Sequence, residues 1–291
     1  MKRAEKTGFF HICTDGTSLP WMFQDEKDFI AGVNRIGICS VMTGVIAVAF
    51  ILMDNHIHLV LYGSMPECKA FINLYKRLTG SWISSRYGIK DYLRHLPAEI
   101  IRIEDEESLL NTIAYIDRNS IVSGYRFIPQ EYPWGTSRHI FREKAEESAY
   151  RRLDTISVRE QRSILNTRVK LPGHWLIDKA GMIIPSSFIN IPRLEKYFGS
   201  PARYTYFLAK KLEGKIEMTM KYSRKTFIPD KELRPIMKEM CTGAFGTADI
   251  KSLDVKSRLV IAKRLRYDYA SSIKQIARMT GLDENMLEDF I

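Results

Sequence analysis

Residues 41–62 read VMTGVIAVAFILMDNHIHLVLY, and this stretch decides the fold. Two apolar runs are separated by the polar pair Asp54 and Asn55, a pattern typical of two β-strands joined by a tight turn. We predict a long central strand over 41–53 and its hairpin partner over 56–62. The first run contains Gly44 and is shorter than the roughly 20 apolar residues that a membrane span needs. The sequence therefore predicts the centre of an antiparallel sheet and no membrane partner.

The second strand of this hairpin carries two histidines, His56 and His58, on either side of Ile57. Because side chains alternate along a strand, the two imidazoles share one face. A polar pair on an apolar strand is costly unless something binds it, and two adjacent imidazoles form half of a divalent-metal site. A His-x-His motif alone is more often a pair of structural or surface histidines, so its interpretation depends on the rest of the chain.

The segments around the hairpin complete a small sheet. Apolar periodicity predicts strands over 9–14 and 99–104 and helices over 25–37 and 66–87. The order β-α-β-β-α-β is that of a ferredoxin-like antiparallel sheet with two helices on one face, which belongs to the α+β class.

A further helix is predicted over 106–120. Its aliphatic residues fall on one arc, and Tyr115 and Asn119 fall on the opposite side. Residues four apart on a helix share a face, so these two side chains can reach one common point. A tyrosine on a helix is usually a core or boundary residue, and an asparagine near the end of a helix often caps it.

Taken together, these motifs resemble the HUH single-tyrosine transposases, and in particular the REP-associated tyrosine transposase branch. The resemblance rests on FILMDNHIHLVL at 50–61, YIDRN at 115–119 and PQEYPWGTS at 129–137, and spans roughly residues 8–140. Histidine-triad hydrolases and metallo-β-lactamases would need a different residue at Val60, and two-histidine phosphoesterases a different residue at His58.

The resemblance implies an enzyme that cleaves and rejoins single-stranded, hairpin-forming DNA, as in DNA transposition and recombination. Tyr115 would be the nucleophile and would form a 5′-phosphotyrosine, and His56, His58 and the Asn119 amide oxygen would bind Mg²⁺ or Mn²⁺. The covalent link conserves the energy of the phosphodiester bond, so rejoining needs no ATP, and the sequence contains no phosphate-binding P-loop motif. The resemblance also allows a homodimer. A non-catalytic nucleic-acid-binding or regulatory protein on the same scaffold is the alternative.

The chain after residue 140 differs from the first part in charge. The 291 residues carry a net charge of +10, but residues 1–150 contain 17 Lys and Arg against 18 Asp and Glu. We therefore predict a catalytic domain over 1–140 and a basic, mainly α-helical extension over 141–291, in which basic residues alternate with aromatic ones over 193–238. A helical pack with a solvated basic face has a similar composition. The candidate DNA-binding residues of this extension are Lys210, Lys211, Arg224, Lys225, Lys263, Arg264 and Arg266.

Residues 273–290 resemble a helix-turn-helix. Gly281 is predicted to make the turn, with Ile276, Leu282, Leu287 and Phe290 in a small core. The second helix contains acidic residues and no Lys or Arg, so packing or partner contact is the better interpretation of it.

The remaining signals concern redox state and location. Four cysteines without Cys-x-x-Cys spacing indicate neither a zinc site nor a disulfide framework. Together with the lack of a signal peptide pattern, this favours a cytoplasmic protein. His11 and His139 are candidates to approach the site, His11 because it lies on a strand of the same predicted sheet, but histidines in such positions are more often structural.

Overall fold

Four antiparallel strands form the sheet in the computed structural model, which describes residues 6–16, 19, 21–122, 128–142, 149–209, 230–267, 269, 271 and 273–290. The strands are β1 (Gly8–Thr14), β2 (Ile46–Leu52), β3 (Ile57–Gly63) and β4 (Ala98–Ile103). Their order is β2-β3-β1-β4, and all neighbouring strands are antiparallel. The prediction of a mixed α+β protein with an antiparallel sheet is confirmed.

Two long helices cover one face of the sheet, α1 (Glu26–Thr43) and α2 (Met65–Tyr87). The first begins at the N-cap Asp25, whose side chain accepts a hydrogen bond from the Asp28 amide. The glycine at position 32 lets α1 approach the sheet closely, because an added Cβ there would lie 2.8 Å from Cδ1 of Leu52. Leu52 pairs with Ile57, and the side chains of paired residues point to the same side of the sheet. The helix α1 therefore covers the face to which Ile57 points, called here the Ile57 face.

The boundary between α1 and β2 differs from the prediction. The helix was predicted to end at Gly37 and the strand to begin at Val41, whereas α1 extends to Thr43 and β2 begins at Ile46. Gly44 is the residue that ends the helix, with φ of 72° and its amide donating to the Ser40 carbonyl. The aliphatic residues before it therefore belong to the last turn of α1.

The predicted helix over 106–120 is divided in two. α3 (Glu106–Asp117) and α4 (Asn119–Val122) are separated by Arg118. α3 covers the other face of the sheet, because the Tyr115 ring lies 5.7 Å from the ring of His58, which points away from the Ile57 face.

Residues 128–142 close the exposed edge of the sheet at β2. The Leu52 amide donates to the Trp134 carbonyl at 2.9 Å, and the Phe50 amide donates to Thr136 Oγ1 at 2.8 Å. The Tyr132 hydroxyl donates to the Leu52 carbonyl at 2.8 Å. These bonds satisfy backbone groups that an edge strand would otherwise expose.

The segment over 149–209 continues to pack with the first part of the chain. It contains a two-stranded sheet of β5 (Arg151–Arg152) and β6 (Leu176–Ile177) and the helices α5 (Val158–Leu165), α6 (Ile191–Phe198) and α7 (Pro201–Ala209). Asn34 of α1 fixes this region, since its amide donates to the Gly181 carbonyl and accepts from the Ile183 amide.

The chain divides into two compact units, Met1–Tyr222 and Ser223–Ile291. The predicted end of the catalytic domain at residue 140 stays a prediction. The two compact units divide some 80 residues later, because residues 151–209 contact α1 and α3. No helix among the described residues is long and apolar enough to cross a bilayer.

The described part of the second unit contains helices α8 (Asp230–Phe245), α9 (Val255–Tyr267), α10 (Ile273–Thr280) and α11 (Glu284–Phe290). α10 and α11 correspond to the predicted helix-turn-helix-like segment, and Gly281 between them has a φ of 69°. Ile276, Leu282 and Leu287 are buried as predicted. The prediction for Phe290 is wrong, because its side chain is 58% exposed at the end of the last helix.

Candidate active site

The two histidines of the hairpin lie at the start of β3. His58 pairs with Ile51 on one side and Cys13 on the other, so it occupies the middle of the sheet and is 1% exposed. His56 precedes the strand, is half-buried, and shares a 2.7 Å hydrogen bond with Asn55 through Nδ1. The two imidazole rings are 5.0 Å apart and nearly perpendicular.

Tyr115 and Asn119 meet these histidines from the helical layer. The Tyr115 ring is 5.7 Å from the His58 ring, and the Tyr115 side chain is 8% exposed. The amide nitrogen of Asn119 donates to the carbonyls of Tyr115 and Ile116 at 3.1 and 3.3 Å. Its amide oxygen is therefore the atom left to meet His58, whose pKa the neighbouring Asn119 side chain acts to raise. The structure thus brings together all four residues predicted for the site.

His11 is a third histidine at this place. It lies on β1, diagonal to His58, and its Nε2 is 3.2 Å from His58 Nδ1. The two rings are stacked at 5.3 Å, and the His11 ring is 6.2 Å from that of Tyr115. The sequence makes His11 a candidate to approach the site, with a structural role as the more common interpretation. The available signal was its position on the neighbouring strand, but the pairing register that makes His11 and His58 neighbours is not visible in a single sequence.

Burial keeps these imidazoles neutral. It lowers the pKa of His11 to about 3. It also holds the pKa of His58 well below its usual 6.5, with the nearby His56 and His11 acting in the same direction and the Asn119 hydrogen bond opposing them. A neutral imidazole has a free nitrogen lone pair, which is the form that binds a metal ion.

A carboxylate lies in the same row of the sheet. Glu99 of β4 pairs with Cys13, which in turn pairs with His58. Its Oε2 is buried and has no hydrogen-bond partner within the described part of the chain. The site face therefore contains an acidic group that the motifs did not indicate.

A second polar network holds the C-terminal end of α3. The Tyr204 hydroxyl of α7 donates to Asp117 Oδ2 at 2.7 Å and is 2.6 Å from Ser137 Oγ. All three side chains are buried, and burial raises the pKa of Asp117 to about 7 although the hydrogen bond from the Tyr204 hydroxyl acts to lower it. Asp117 lies between Tyr115 and Asn119 in the chain, so this network fixes the end of the helix that carries both. No pattern in the sequence indicates this contact between residues 87 positions apart.

A basic groove of ≈ 660 Å³ lies on the first unit between α2 and the turn over 90–94. Four cations line this basic groove together with one carboxylate: Lys76, Arg77, Lys90, Arg94 and Asp91. The Arg94 and Asp91 side chains are 3.6 Å apart, and Lys76 donates to the Leu96 carbonyl at 2.7 Å. Within the ranges described above, Arg77 and Lys90 make no ion pair.

The predicted DNA-binding residues of the extension fall into two groups. Lys210, Lys211, Arg224 and Lys225 lie outside the described residues. The others lie on α9 of the second unit, where Lys263 is exposed, Arg264 is half-buried, and Arg266 Nη1 donates to the Ser271 carbonyl at 3.1 Å. Arg266 thus has a structural partner, and the role of these residues in DNA binding stays a prediction.

Among the described residues, no three His, Cys, Asp or Glu side chains are grouped to hold a metal ion. The predicted ligand set has a different composition, because it combines two imidazole nitrogens with one amide oxygen. Comparison with protein-family models, with curated proteins and with solved structures found no match to this chain.

Proposed function

We propose that this chain is a metal-dependent DNA transesterase of the HUH single-tyrosine transposase type, acting on single-stranded, hairpin-forming DNA. The observation that carries the proposal is the meeting of a phenol, two imidazoles and an amide from separate segments. The His58 ring lies 5.0 Å from that of His56 and 5.7 Å from that of Tyr115, and the Asn119 side chain is close enough to act on the pKa of His58. A nucleophile beside a cation site is what phosphodiester transfer needs.

His56, His58 and Asn119 are the residues that would hold the cation, Mg²⁺ or Mn²⁺. Their donor set fits, because burial keeps His58 neutral and the Asn119 amide nitrogen is already bonded to backbone carbonyls, which leaves its oxygen toward the ring. Carbonyl oxygen suits Mg²⁺ and Mn²⁺, and imidazole is the commonest metal ligand in proteins. When bound, such an ion offsets the negative charge that develops on the non-bridging phosphate oxygens.

Tyr115 carries the covalent step. Its hydroxyl oxygen attacks phosphorus, the new bond is a 5′-phosphotyrosine, and the bond to the 3′ oxygen breaks so that a 3′-hydroxyl leaves with a proton. A second 3′-hydroxyl reverses the reaction and restores the free tyrosine, so no other energy source is needed. An ordinary phenol has a pKa of about 10 and holds its proton at neutral pH, so the proton of Tyr115 must be taken up as the bond forms.

The fold and the surface charge are consistent with this function. The strand order β2-β3-β1-β4 with α1 on one face supports a ferredoxin-like arrangement of the sheet. The basic groove supports a nucleic-acid partner, because an unpaired cation such as Arg77 or Lys90 can neutralise a phosphate.

The test is a covalent-adduct assay with labelled hairpin DNA and Mn²⁺ on a denaturing gel. We expect a shifted band with the parent protein and none with Tyr115→Phe, with His56→Ala or with EDTA. Tyr62→Phe is the matched control, because Tyr62 is an exposed tyrosine on the same sheet, and it should retain the adduct.

A failure of this assay would favour the alternative. If no adduct forms across a broad pool of hairpins while the parent and Tyr115→Phe bind them equally, the chain is a nucleic-acid-binding or regulatory protein rather than a transesterase.

A further inference from the structure

His11 contacts a residue of the proposed cation site without being a member of it. Its ring is 2% exposed, stacked on His58 and joined to it by the 3.2 Å contact between His11 Nε2 and His58 Nδ1. Two imidazoles buried side by side in a sheet are costly unless each ring nitrogen has a partner. The partners of His58 therefore decide what His11 does.

The two nitrogens of the His58 ring face different partners. Nδ1 lies 3.2 Å from His11 Nε2, so Nε2 is the ring nitrogen left to meet the Asn119 side chain. The Asn119 side chain presents its oxygen, since its nitrogen is bonded to two backbone carbonyls. With no cation bound, His58 therefore carries its hydrogen on Nε2 and donates it to Asn119, and Nδ1 accepts a hydrogen bond from Nε2–H of His11.

Cation binding by His58 reverses this arrangement. A nitrogen that binds a metal cannot carry a hydrogen, so a neutral His58 that uses Nε2 must carry the hydrogen on Nδ1. That buried N–H then points at His11 Nε2. A neutral imidazole can donate or accept at the same nitrogen, depending on its tautomer, and the buried His11 ring places Nε2 3.2 Å from His58 Nδ1.

We propose that His11 is a positioning residue that exchanges hydrogen-bond roles with His58, so that His58 can offer Nε2 to a cation without leaving a buried N–H unpaired. This inference rests on the proposed function, because it gives His11 a part in cation binding by His58. Acceptors of this kind fix the tautomer of a ligating histidine and raise its basicity, and their loss costs roughly 10–100-fold in metal affinity.

Two substitutions separate hydrogen bonding from packing. His11→Phe keeps an aromatic ring at this position and removes both nitrogens, whereas His11→Gln keeps a group that can accept or donate. Ile12→Val is the matched control, because Ile12 is a fully buried neighbour on the same strand that faces the opposite side of the sheet.

Mn²⁺ binding to the full chain, measured by calorimetry or electron paramagnetic resonance, is the first readout. We expect His11→Phe to weaken Mn²⁺ binding roughly 10–100-fold, and His11→Gln and Ile12→Val to stay within a few-fold of the parent. Equal affinity of the parent and His11→Phe would overturn the role of His11 while leaving the proposed function intact. A parent protein that binds no Mn²⁺ would overturn both.

Nitrogen-15 spectra of the histidine rings provide a readout that a merely structural role would not change. In the metal-free parent, both His11 and His58 should carry their hydrogen on Nε2. Saturation with Mg²⁺, which is diamagnetic, should move the hydrogen of both rings to Nδ1. The proposal is wrong if His11 keeps the same tautomer when His58 changes, or if the metal-free His11 already carries its hydrogen on Nδ1.

Discussion

In the first unit, titratable side chains are buried next to the sheet, whereas the core of the second unit is mainly aliphatic. His11, His58 and Asp117 are each at most 2% exposed in the first unit. The buried polar side chains of the second unit, among its described residues, are Ser271, Gln275 and Thr280, and none of these carries a charge. Burying titratable groups costs free energy without improving packing, and such groups are concentrated at functional sites. The difference favours the first unit as the place of the proposed reaction.

The largest effect should come from the buried histidine of the proposed cation site. We expect His58→Ala to reduce the rate of adduct formation by at least about a thousandfold, equal to about 4 kcal/mol in activation free energy. It should also lower the unfolding free energy by roughly 1–3 kcal/mol, because His11 and Asn119 lose a buried partner. Single-turnover gels and urea unfolding measure the two effects.

His56→Ala is the matched variant for this experiment. His56 is half-buried and lies outside β3, so its loss should reduce adduct formation with little change in unfolding. A His56→Ala protein with the parental rate would remove His56 from the ligand set.

The pH dependence of the unfolding free energy should also distinguish the two units. Burial raises the pKa of Asp117 from 3.8 to about 7, so the folded first unit holds this proton more tightly than the unfolded chain does. The resulting stabilisation is complete below about pH 4 and is lost as the pH rises through about 7, and it amounts to about 4 kcal/mol. His11, His58 and His139, whose pKa values are lowered, act in the opposite direction.

Asp117→Asn isolates the contribution of this carboxyl group. The amide can still accept from Tyr204 but does not ionise, so it should match the parent near pH 4 and exceed its unfolding free energy by a few kcal/mol at pH 8. Denaturant unfolding of both proteins across this range gives the difference directly. A constant difference from pH 4 to 8 would show that Asp117 does not titrate in this window.

A core substitution in the second unit should have no catalytic effect. Leu265 of α9 is fully buried among aliphatic side chains, and Leu265→Ala should lower the unfolding free energy of this unit by about 3 kcal/mol. The adduct rate at a temperature where the variant is folded should equal that of the parent. A large fall in the rate would mean that the second unit takes part in the reaction.

The smallest effect is expected at the basic groove. Arg77→Glu should weaken binding of a single-stranded oligonucleotide about tenfold at low salt and reduce the salt dependence of binding. Arg162→Glu on α5 changes the net charge by the same amount away from this groove and is the control. Fluorescence anisotropy at several salt concentrations separates them, and equal losses would indicate only an effect of net charge.

The parts of the molecule that the sequence predicted are those with local signals. Alternation in the hairpin predicted His56 and His58 as neighbours at the start of a strand, although β3 itself begins at Ile57, and the four-residue spacing predicted Asn119 beside Tyr115. The sequence predicted the end of α1 wrongly, because Gly37 is accommodated inside the helix and the left-handed Gly44 ends it.

What could not be predicted depends on contacts between distant segments. His11 and His58 are 47 residues apart, and Asp117 and Tyr204 are 87 residues apart. Neither pair follows from periodicity, because the strand register and the docking of α7 decide them. Phe290 was assigned to a core for its hydrophobicity, but the last helix leaves it at the surface.

The most direct test of the central claim is the identity of the residue that becomes linked to DNA. The adduct formed by the parent protein with a hairpin substrate and Mn²⁺ would be digested with nuclease and protease and analysed by mass spectrometry. The proposed function predicts a nucleotide attached through its 5′ phosphate to Tyr115. Attachment to another residue, or DNA that stays uncut although the protein binds it, would contradict the claim.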